Sequence, residues 1–186
     1  MSHEALWAPW RMTYLRDLEA KAAASRNPSD TGLPNFLAAA WARPDLDRES
    51  LVVVRDANGL ILLNRFPYTN GHLLVALGEP APRLLDYAPE RRAAFWTLVD
   101  RAFAIVHRAF RPQGINMGIN EGHAAGAGLP EHLHAHVLPR WNGDTNFMAT
   151  VAGARVVPDS LEAVADQYRK ALPKALALVA ANPDRG

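Results

Sequence analysis

The segment Glu131-His132-Leu133-His134-Ala135-His136-Val137-Leu138-Pro139-Arg140-Trp141 carries three of the chain's seven histidines at alternating positions. Its apolar end, which stops at a proline, is typical of a β-strand. Successive side chains of a strand point to opposite faces, so the three imidazoles are predicted to share one face. The residues between and after them are apolar and are predicted to face the protein core: Leu133, Ala135 and Val137.

Two chemistries suit a face with three imidazoles, which titrate near neutral pH. A catalytic zinc ion can be held by three histidines. Along one extended strand, however, the three would spread over roughly 13 Å at about 3.3 Å per residue, too far for ligands about 2 Å from one ion. A histidine nucleophile oriented by histidine neighbours needs only hydrogen-bond reach, and we favour it. The third interpretation is the solvated face of an edge strand.

The composition indicates one main globular domain. The chain has 186 residues, 49% of them hydrophobic, and a formal net charge of +1, so neither nucleic acid nor a membrane is an expected partner. The absence of cysteine excludes disulfides and thiolate zinc sites within the chain and is compatible with a cytoplasmic location. We expect neither a signal peptide nor a membrane span.

The remaining periodicity predicts an α+β fold with a mainly antiparallel sheet. A hairpin is predicted at Asp56-Ala57-Asn58-Gly59, where Asn-Gly suits positive φ. A long amphipathic helix is predicted to begin at Pro89, end before Pro112 and cover one face of the sheet. The other predicted elements are a short helix over 36–41, strands over 51–55, 60–64, 72–77 and 115–120, and a C-terminal helix over 158–179 that Pro173 could break.

A loop of small residues precedes the histidine strand. It reads Asn120-Glu121-Gly122-His123-Ala124-Ala125-Gly126-Ala127-Gly128, and such loops let backbone N–H groups approach an anion. A flexible turn has the same composition, so the loop alone does not establish an anion-binding site. Arg140 could bind phosphate in bidentate fashion or form a surface ion pair. Asn64 and His72, at strand ends, suit either a ligand site or ordinary turns.

These motifs together resemble the histidine triad family, whose signature is three histidines separated by apolar residues. The segment His132-Leu133-His134-Ala135-His136-Val137-Leu138 matches that signature, with the small Ala135 in one apolar slot. The resemblance also covers Leu63-Asn64-Arg65-Phe66-Pro67, Asn70-Gly71-His72 and the region from Pro139 to Met148. The opening Trp7-Ala8-Pro9-Trp10-Arg11 is similar to the bacterial branch related to diadenosine tetraphosphate phosphorylases and fragile-histidine-triad hydrolases.

The resemblance implies a five-stranded antiparallel sheet, a homodimer and attack on a nucleotide α-phosphate. His134 would be the nucleophile that forms a nucleotidyl-histidine, while His136 and His132 would bind phosphate oxygens or fix the ring of His134. His72 would lie behind them. The other positions predicted to bind nucleotide or phosphate are Asn64 at the ribose, Asn120 near the phosphate, the loop residues Gly126, Ala127 and Gly128, and Arg140. No metal site and no tightly bound cofactor are expected, with Mg²⁺ as an optional companion of the substrate.

Two departures from the family affect the prediction. Relatives in this branch carry paired cysteines where this chain has Leu33-Pro34-Asn35-Phe36-Leu37, so a zinc site built on those thiols is lost. Relatives also carry a polar side chain in the loop where this chain has Ala127 and Gly128. The acceptor of the nucleotidyl group therefore stays open between water and phosphate, with a slight preference for water.

The resulting hypothesis is an enzyme that cleaves dinucleoside polyphosphates such as diadenosine tetraphosphate. Hydrolysis of nucleoside phosphoramidates or other nucleotide conjugates, and nucleotide binding without turnover, are the alternatives; a zinc hydrolase is the least favoured. Residues 51–150 are predicted to form the histidine triad domain. Residues 1–50 would be an N-terminal extension, and 151–186 a C-terminal extension with a helix.

Overall fold

The computed structural model of the chain describes residues 35–144 and 159–180, so parts of both predicted extensions lie outside it. The helices and strands in order are α1 (Phe36–Ala42), β1 (Val52–Arg55), β2 (Gly59–Leu63), β3 (Leu73–Leu77), α2 (Pro89–Phe110), β4 (Gly114–Ile119), β5 (His134–Arg140) and α3 (Leu161–Ala180). None of the helices in these ranges is both long and apolar enough to cross a bilayer. The proposed boundaries at residues 50 and 150 stay predictions.

The five strands form one antiparallel sheet in the order β1-β2-β3-β5-β4. The strands β1, β2 and β3 follow one another as a meander, and α2 then carries the chain to the far edge, where β4 lies. The last strand, β5, pairs with β3 on one side and with β4 on the other. The predicted α+β fold with an antiparallel sheet is confirmed, and the histidine strand lies inside the sheet rather than at its edge.

The two faces of the sheet are covered unequally. On one face α2 and α3 pack against the strands and bury a large apolar core, in which Phe95 and Leu98 of α2 and Tyr168 of α3 are fully buried. The hydroxyl of Tyr168 donates to the carbonyl oxygen of Gly71 at 2.6 Å. On the other face a smaller apolar cluster includes Leu37 and residues of β2 and β3. The predicted cover by the long helix is confirmed.

The β1–β2 hairpin corrects one prediction. Neither Asn58 nor Gly59 adopts positive φ. Instead, the carboxylate of Asp56 accepts the backbone N–H groups of Asn58 at 2.7 Å and Gly59 at 3.1 Å, so a side chain closes the turn. Gly59 is needed for space, because a Cβ there would lie 2.2 Å from the carbonyl oxygen of Ala76 on the neighbouring strand.

The ends of two elements also differ from prediction. The strand β5 begins at His134, so His132 lies in a bend before it rather than within it. The C-terminal helix α3 continues through Pro173, whose side chain is exposed, so the proline does not break it. By contrast, α2 begins at Pro89 as predicted. It ends at Phe110, and the next residue, Arg111, adopts positive φ.

Candidate active site

Strand β5 presents His134 and His136 on the face opposite the large helical core. Their backbone partners on β3 are Ala76 and Leu74, which belong to the smaller apolar cluster. On the other side, Gly118 of β4 lies opposite His136. Both imidazoles are largely buried, with 6% of His134 and 9% of His136 exposed. The alternation predicted for these two histidines is confirmed.

His132 is fully buried immediately before β5, and both of its ring nitrogens lie close to polar atoms of the protein. Nε2 lies 2.8 Å from the carbonyl oxygen of Leu77, and Nδ1 lies 3.1 Å from Oδ1 of Asn35. A carbonyl oxygen can only accept, so Nε2 of His132 must carry a proton and donate it. Both ring nitrogens thus face atoms of the protein, and the ring is fully buried, so the phosphate contact proposed for His132 stays a prediction.

The main-chain carbonyl of His132 fixes the tautomer of His134. Nδ1 of His134 lies 2.8 Å from that oxygen, so Nδ1 carries the proton and donates it. In the neutral ring Nε2 then keeps its lone pair, which is the form a nucleophile needs. Burial lowers the pKa of His134 below its ordinary value, so the ring is uncharged at neutral pH.

A second chain of bonds orients His136. The backbone N–H of Tyr68 donates to Nδ1 of His72 at 3.1 Å, so His72 carries its proton on Nε2. Nε2 of His72 in turn lies 2.9 Å from Nδ1 of His136, and neutral His136 therefore holds its own proton on Nε2. Burial, followed by the proximity of His134, lowers the pKa of His136 to about 4.

The two strand histidines thus differ in the protonation of Nε2. His134 offers an unprotonated Nε2, and His136 offers an N–H donor at the same ring atom. Their ring centroids lie 5.0 Å apart in an edge arrangement. The ring of Tyr68 stacks on His136 with centroids 5.7 Å apart. A base with a lone pair beside a hydrogen-bond donor suits attack on a phosphoryl group whose oxygens need stabilisation.

Asn64 lies behind the histidines in this structure. Its amide nitrogen is 3.3 Å from Nδ1 of His72, and its oxygen accepts the backbone N–H of Phe66 at 2.9 Å. The predicted ribose contact of Asn64 stays a prediction. Asn120, predicted to bind near the phosphate, is half-buried directly after β4, where the loop to β5 begins.

Backbone hydrogen bonds form within the loop that precedes the histidines. Residues His123–Ala125 form a single turn of 3-10 helix, and Gly126 follows with φ of +88°. The backbone N–H groups of Ala125 and Ala127 donate to the carbonyl of Gly122, and that of Gly126 donates to the carbonyl of His123. These three amides are therefore bonded within the loop, and phosphate binding by Gly126, Ala127 and Gly128 stays a prediction. A side chain at Gly128, in contrast, would meet open space.

Arg140 lies at the end of β5, six residues after His134 and thus roughly 20 Å along an extended strand at about 3.3 Å per residue. Its guanidinium contacts the carboxylate of Asp144 at 2.6 and 2.8 Å and the amide oxygen of Asn116 at 2.7 Å. The sequence left a phosphate contact and an ion pair open for Arg140, and the structure shows the ion pair.

Sequence reasoning missed Asn35 and Tyr68 as parts of the site. Asn35 lies 97 residues before His132, and the sequence marked it only as the residue ahead of a predicted helix and as part of the segment that replaces the paired cysteines of relatives. Tyr68 contributes a backbone N–H and a ring that stacks on His136, and no periodic pattern in the sequence reveals either contact. Within residues 35–144 and 159–180, no three His, Cys, Asp or Glu side chains are grouped so as to hold a metal ion.

Comparison with known proteins gives concordant matches. A model of the HIT domain matches residues 46–143. The AP-4-A phosphorylase of Mycobacterium tuberculosis (strain ATCC 25618 / H37Rv) is 38% identical over 160 residues, which are 85% of this chain and 78% of the relative. The asymmetrical bis(5'-nucleosyl)-tetraphosphatase of Schizosaccharomyces pombe is 32% identical over 95 residues, 51% of this chain and 52% of the relative.

Among solved structures, a Zn-bound histidine triad family protein from Mycobacterium smegmatis superposes with a TM-score of 0.53. It is 32% identical and the superposition covers 69% of this chain and 87% of that one. The HIT match spans more than half of the chain and contains β1 to β5 with every histidine of the site. This protein therefore belongs to the histidine triad (HIT) family.

Proposed function

We propose that the protein cleaves dinucleoside polyphosphates at the α-phosphate and that Nε2 of His134 is the nucleophile. The observation that carries the proposal is the 2.8 Å contact from Nδ1 of His134 to the carbonyl of His132, because it leaves the lone pair on Nε2. The names of the relatives support the substrate class: one is an AP-4-A phosphorylase and another a bis(5'-nucleosyl)-tetraphosphatase.

The proposed reaction has two displacements at one phosphorus atom. In the first, a bond forms between Nε2 of His134 and the α-phosphorus of diadenosine tetraphosphate, and the bond from that phosphorus to its bridging oxygen breaks. ATP leaves with the bonding electron pair, and the proton stays on Nδ1 of His134, which continues to donate it to the carbonyl of His132. In the second, an oxygen of water or phosphate attacks the same phosphorus and the bond to Nε2 breaks. Two covalent steps replace one difficult displacement.

The other residues bind and orient in this proposal. The Nε2–H group of His136 donates to an oxygen of the α-phosphate or to the bridging oxygen, where negative charge accumulates. His72 holds His136 in the required tautomer through the 2.9 Å contact. Asn64 and Asn120 would contact the nucleotide, and Mg²⁺ could accompany the polyphosphate and neutralise its charge.

We further propose phosphate as the preferred acceptor, which revises the slight preference for water based on the loop sequence. The phosphorylase relative aligns with 85% of this chain, whereas the tetraphosphatase relative aligns with 51%. With phosphate, diadenosine tetraphosphate yields ADP and ATP, and with water it yields AMP and ATP. Product analysis with and without phosphate therefore distinguishes the two acceptors directly.

The decisive experiment is intact mass spectrometry of the protein after rapid acid-free quenching with diadenosine tetraphosphate. We expect an adenylyl adduct that maps to His134 and disappears when phosphate is added. In His134→Asn we expect no adduct and no turnover, while nucleotide binding measured by calorimetry survives. The matched control is His107→Asn, an exposed histidine on α2, which should form the adduct normally. Turnover above a few per cent in His134→Asn would contradict the role of His134.

A further inference from the structure

Asn35 connects the first helix to the histidine site. It is the residue immediately before α1, and its Oδ1 accepts the backbone N–H of Ala38 at 2.8 Å, which caps that helix. The same oxygen lies 3.1 Å from Nδ1 of His132. Helix α1 itself is anchored on the histidine face of the sheet, because Leu37 and Ala40 are buried in the smaller apolar cluster.

We propose that Asn35 is a positioning residue for the nucleophile: it holds the ring of His132 so that the carbonyl oxygen of His132 fixes His134 with its lone pair on Nε2. The proposal rests on the proposed function of His134. Asn35 need not touch the substrate, because it acts through a second residue. It deepens the assignment of the site by giving α1 a part in catalysis.

The bonding of His132 supports this role. Its ring Nε2 is held by the carbonyl of Leu77, its backbone N–H donates to the carbonyl of Leu129 at 3.3 Å, and its own carbonyl accepts from His134. Asn35 makes the remaining polar contact of the ring. His132 is therefore a fixed connector between α1 and His134, and movement of its ring would be transmitted to the carbonyl that sets the His134 tautomer.

The chemistry of an amide explains why asparagine suits this position. With a neutral His132 whose Nε2 carries the proton, Nδ1 needs a donor, whereas a protonated ring needs an acceptor. Asparagine offers both, since its amide can present either Nδ2–H or Oδ1. The Nδ2 atom of Asn35 is buried and has no hydrogen-bond partner within the described part of the chain. Rotation of the amide would therefore bring a spare donor to His132 at the expense of the cap on Ala38.

Three substitutions separate the contact with His132 from the helix cap. Asn35→Ser keeps a good capping group, but its side chain is too short to reach His132. Asn35→Asp keeps the cap and the reach, but its carboxylate can only accept, so it bonds only a protonated His132. Asn35→Ala loses both interactions. Comparison of Ser with Ala thus isolates the cap, and comparison of Ser with Asp isolates the contact.

The measurements are kcat and KM for diadenosine tetraphosphate, urea unfolding, and ¹⁵N spectra of the histidine rings. For Asn35→Ser we expect wild-type unfolding, KM within about twofold and kcat lower by roughly ten- to a hundredfold, the range expected when a reacting group is misplaced. For Asn35→Asp we expect a kcat above that of Asn35→Ser at neutral pH and a proton on Nδ1 of His132, because the carboxylate accepts only from a protonated His132. The ring spectra should show His134 losing its single Nδ1–H tautomer in the Ser variant.

Two results would overturn the proposal. One is wild-type kcat in Asn35→Ser, and the other is a loss of kcat that follows the loss of stability across the Ser and Ala variants, which would reduce Asn35 to a helix cap. If the wild-type protein does not turn over dinucleoside polyphosphates, the proposed function fails, and the ring spectra alone decide on Asn35. An unchanged His134 tautomer in Asn35→Ser would then refute its positioning role.

Discussion

His136 is a histidine that the fold keeps uncharged. Only 9% of it is exposed, its Nδ1 accepts from His72, and burial lowers its pKa to about 4. Burial also lowers the pKa of His132 and of His134. The uncharged rings serve the proposed chemistry, since a protonated His134 has no lone pair with which to attack phosphorus. Their burial also makes the fold sensitive to acid.

We predict that the protein loses stability between about pH 6.5 and pH 4. In this window the unfolded chain binds protons at histidines that stay neutral in the fold. The contribution of these histidines to the free energy of unfolding is therefore fully present above about pH 6.5 and is lost as the pH drops. For His136 the shift from an ordinary pKa of 6.5 to about 4 corresponds to roughly 3 kcal/mol. Urea unfolding at a series of pH values measures the loss.

The comparison variants are His136→Gln and His107→Gln. The first removes the buried group and should flatten the dependence on pH, while the second changes an exposed residue of α2 and should leave the wild-type slope. An unaltered slope in His136→Gln would show that other groups cause the acid sensitivity.

At the scale of elements, the loop between β4 and β5 immediately precedes the strand that carries the proposed nucleophile, His134. Three of its backbone N–H groups are bonded within the loop, and the side chain of Ala127 is small and buried. Gly128 is the position where a new group fits, because an added Cβ would meet no atom within 4 Å and the backbone does not have positive φ.

We predict that Gly128→Ser raises the share of ADP among the products of diadenosine tetraphosphate cleavage in the presence of phosphate. A hydroxyl there could donate to the incoming phosphate, and one such charge-assisted bond is worth about 1.5–3 kcal/mol, or roughly ten- to a hundredfold in partition. Gly128→Ala is the control for volume and for the loss of glycine. Equal product ratios in the Ser and Ala variants would exclude a role for the hydroxyl.

The elements themselves were largely predictable from the sequence, because most of them depend on local periodicity. The alternation around Ala135 and Val137 placed His134 and His136 on one face, and Pro89 marked the start of α2. The contacts that give the site its chemistry were not predictable. Asn35 meets His132 across 97 residues and His72 meets His136 across 64, and such pairings depend on how the strands assemble.

The hairpin and Arg140 show a different kind of limit. Asn58-Gly59 has the composition of a turn with positive φ, yet the carboxylate of Asp56 closes the turn in another conformation. Arg140 has the geometry to bind phosphate, and its partner Asp144 lies only four residues away. In both cases the residue type allowed two outcomes, and a nearby carboxylate decided between them.

At the scale of the whole molecule, we predict that activity requires no zinc. The chain lacks cysteine, and both ring nitrogens of His132 face polar atoms of the protein. Elemental analysis of the purified protein should find no stoichiometric zinc, and turnover should survive a chelator selective for transition metals. The test is informative because a histidine triad family protein from Mycobacterium smegmatis has a Zn-bound structure. Loss of activity with the chelator and its specific recovery with zinc would contradict the prediction.

For the predicted homodimer we expect β4 to lie at the interface. This strand is at the edge of the sheet, and its apolar Met117 is 41% exposed. We expect Met117→Lys to shift sedimentation toward monomer, because lysine on an edge strand opposes pairing with a second strand. Leu85→Lys, which changes an exposed apolar residue outside the strands, is the control and should stay dimeric. A monomeric wild-type protein at micromolar concentration would refute the homodimer.

The order of the strands has a consequence for when the active site forms during folding. Among the described strands, β4 pairs only with β5, and β5 comes last in sequence. The β1–β3 meander can assemble from neighbours in sequence, but Leu73 finds Val137 only after closing a loop of more than sixty residues, which is slow. Since the same pairing positions His134 and His136, the proposed nucleophile is in place only once β5 has joined the sheet. The active site is therefore formed only when β5 pairs with the meander.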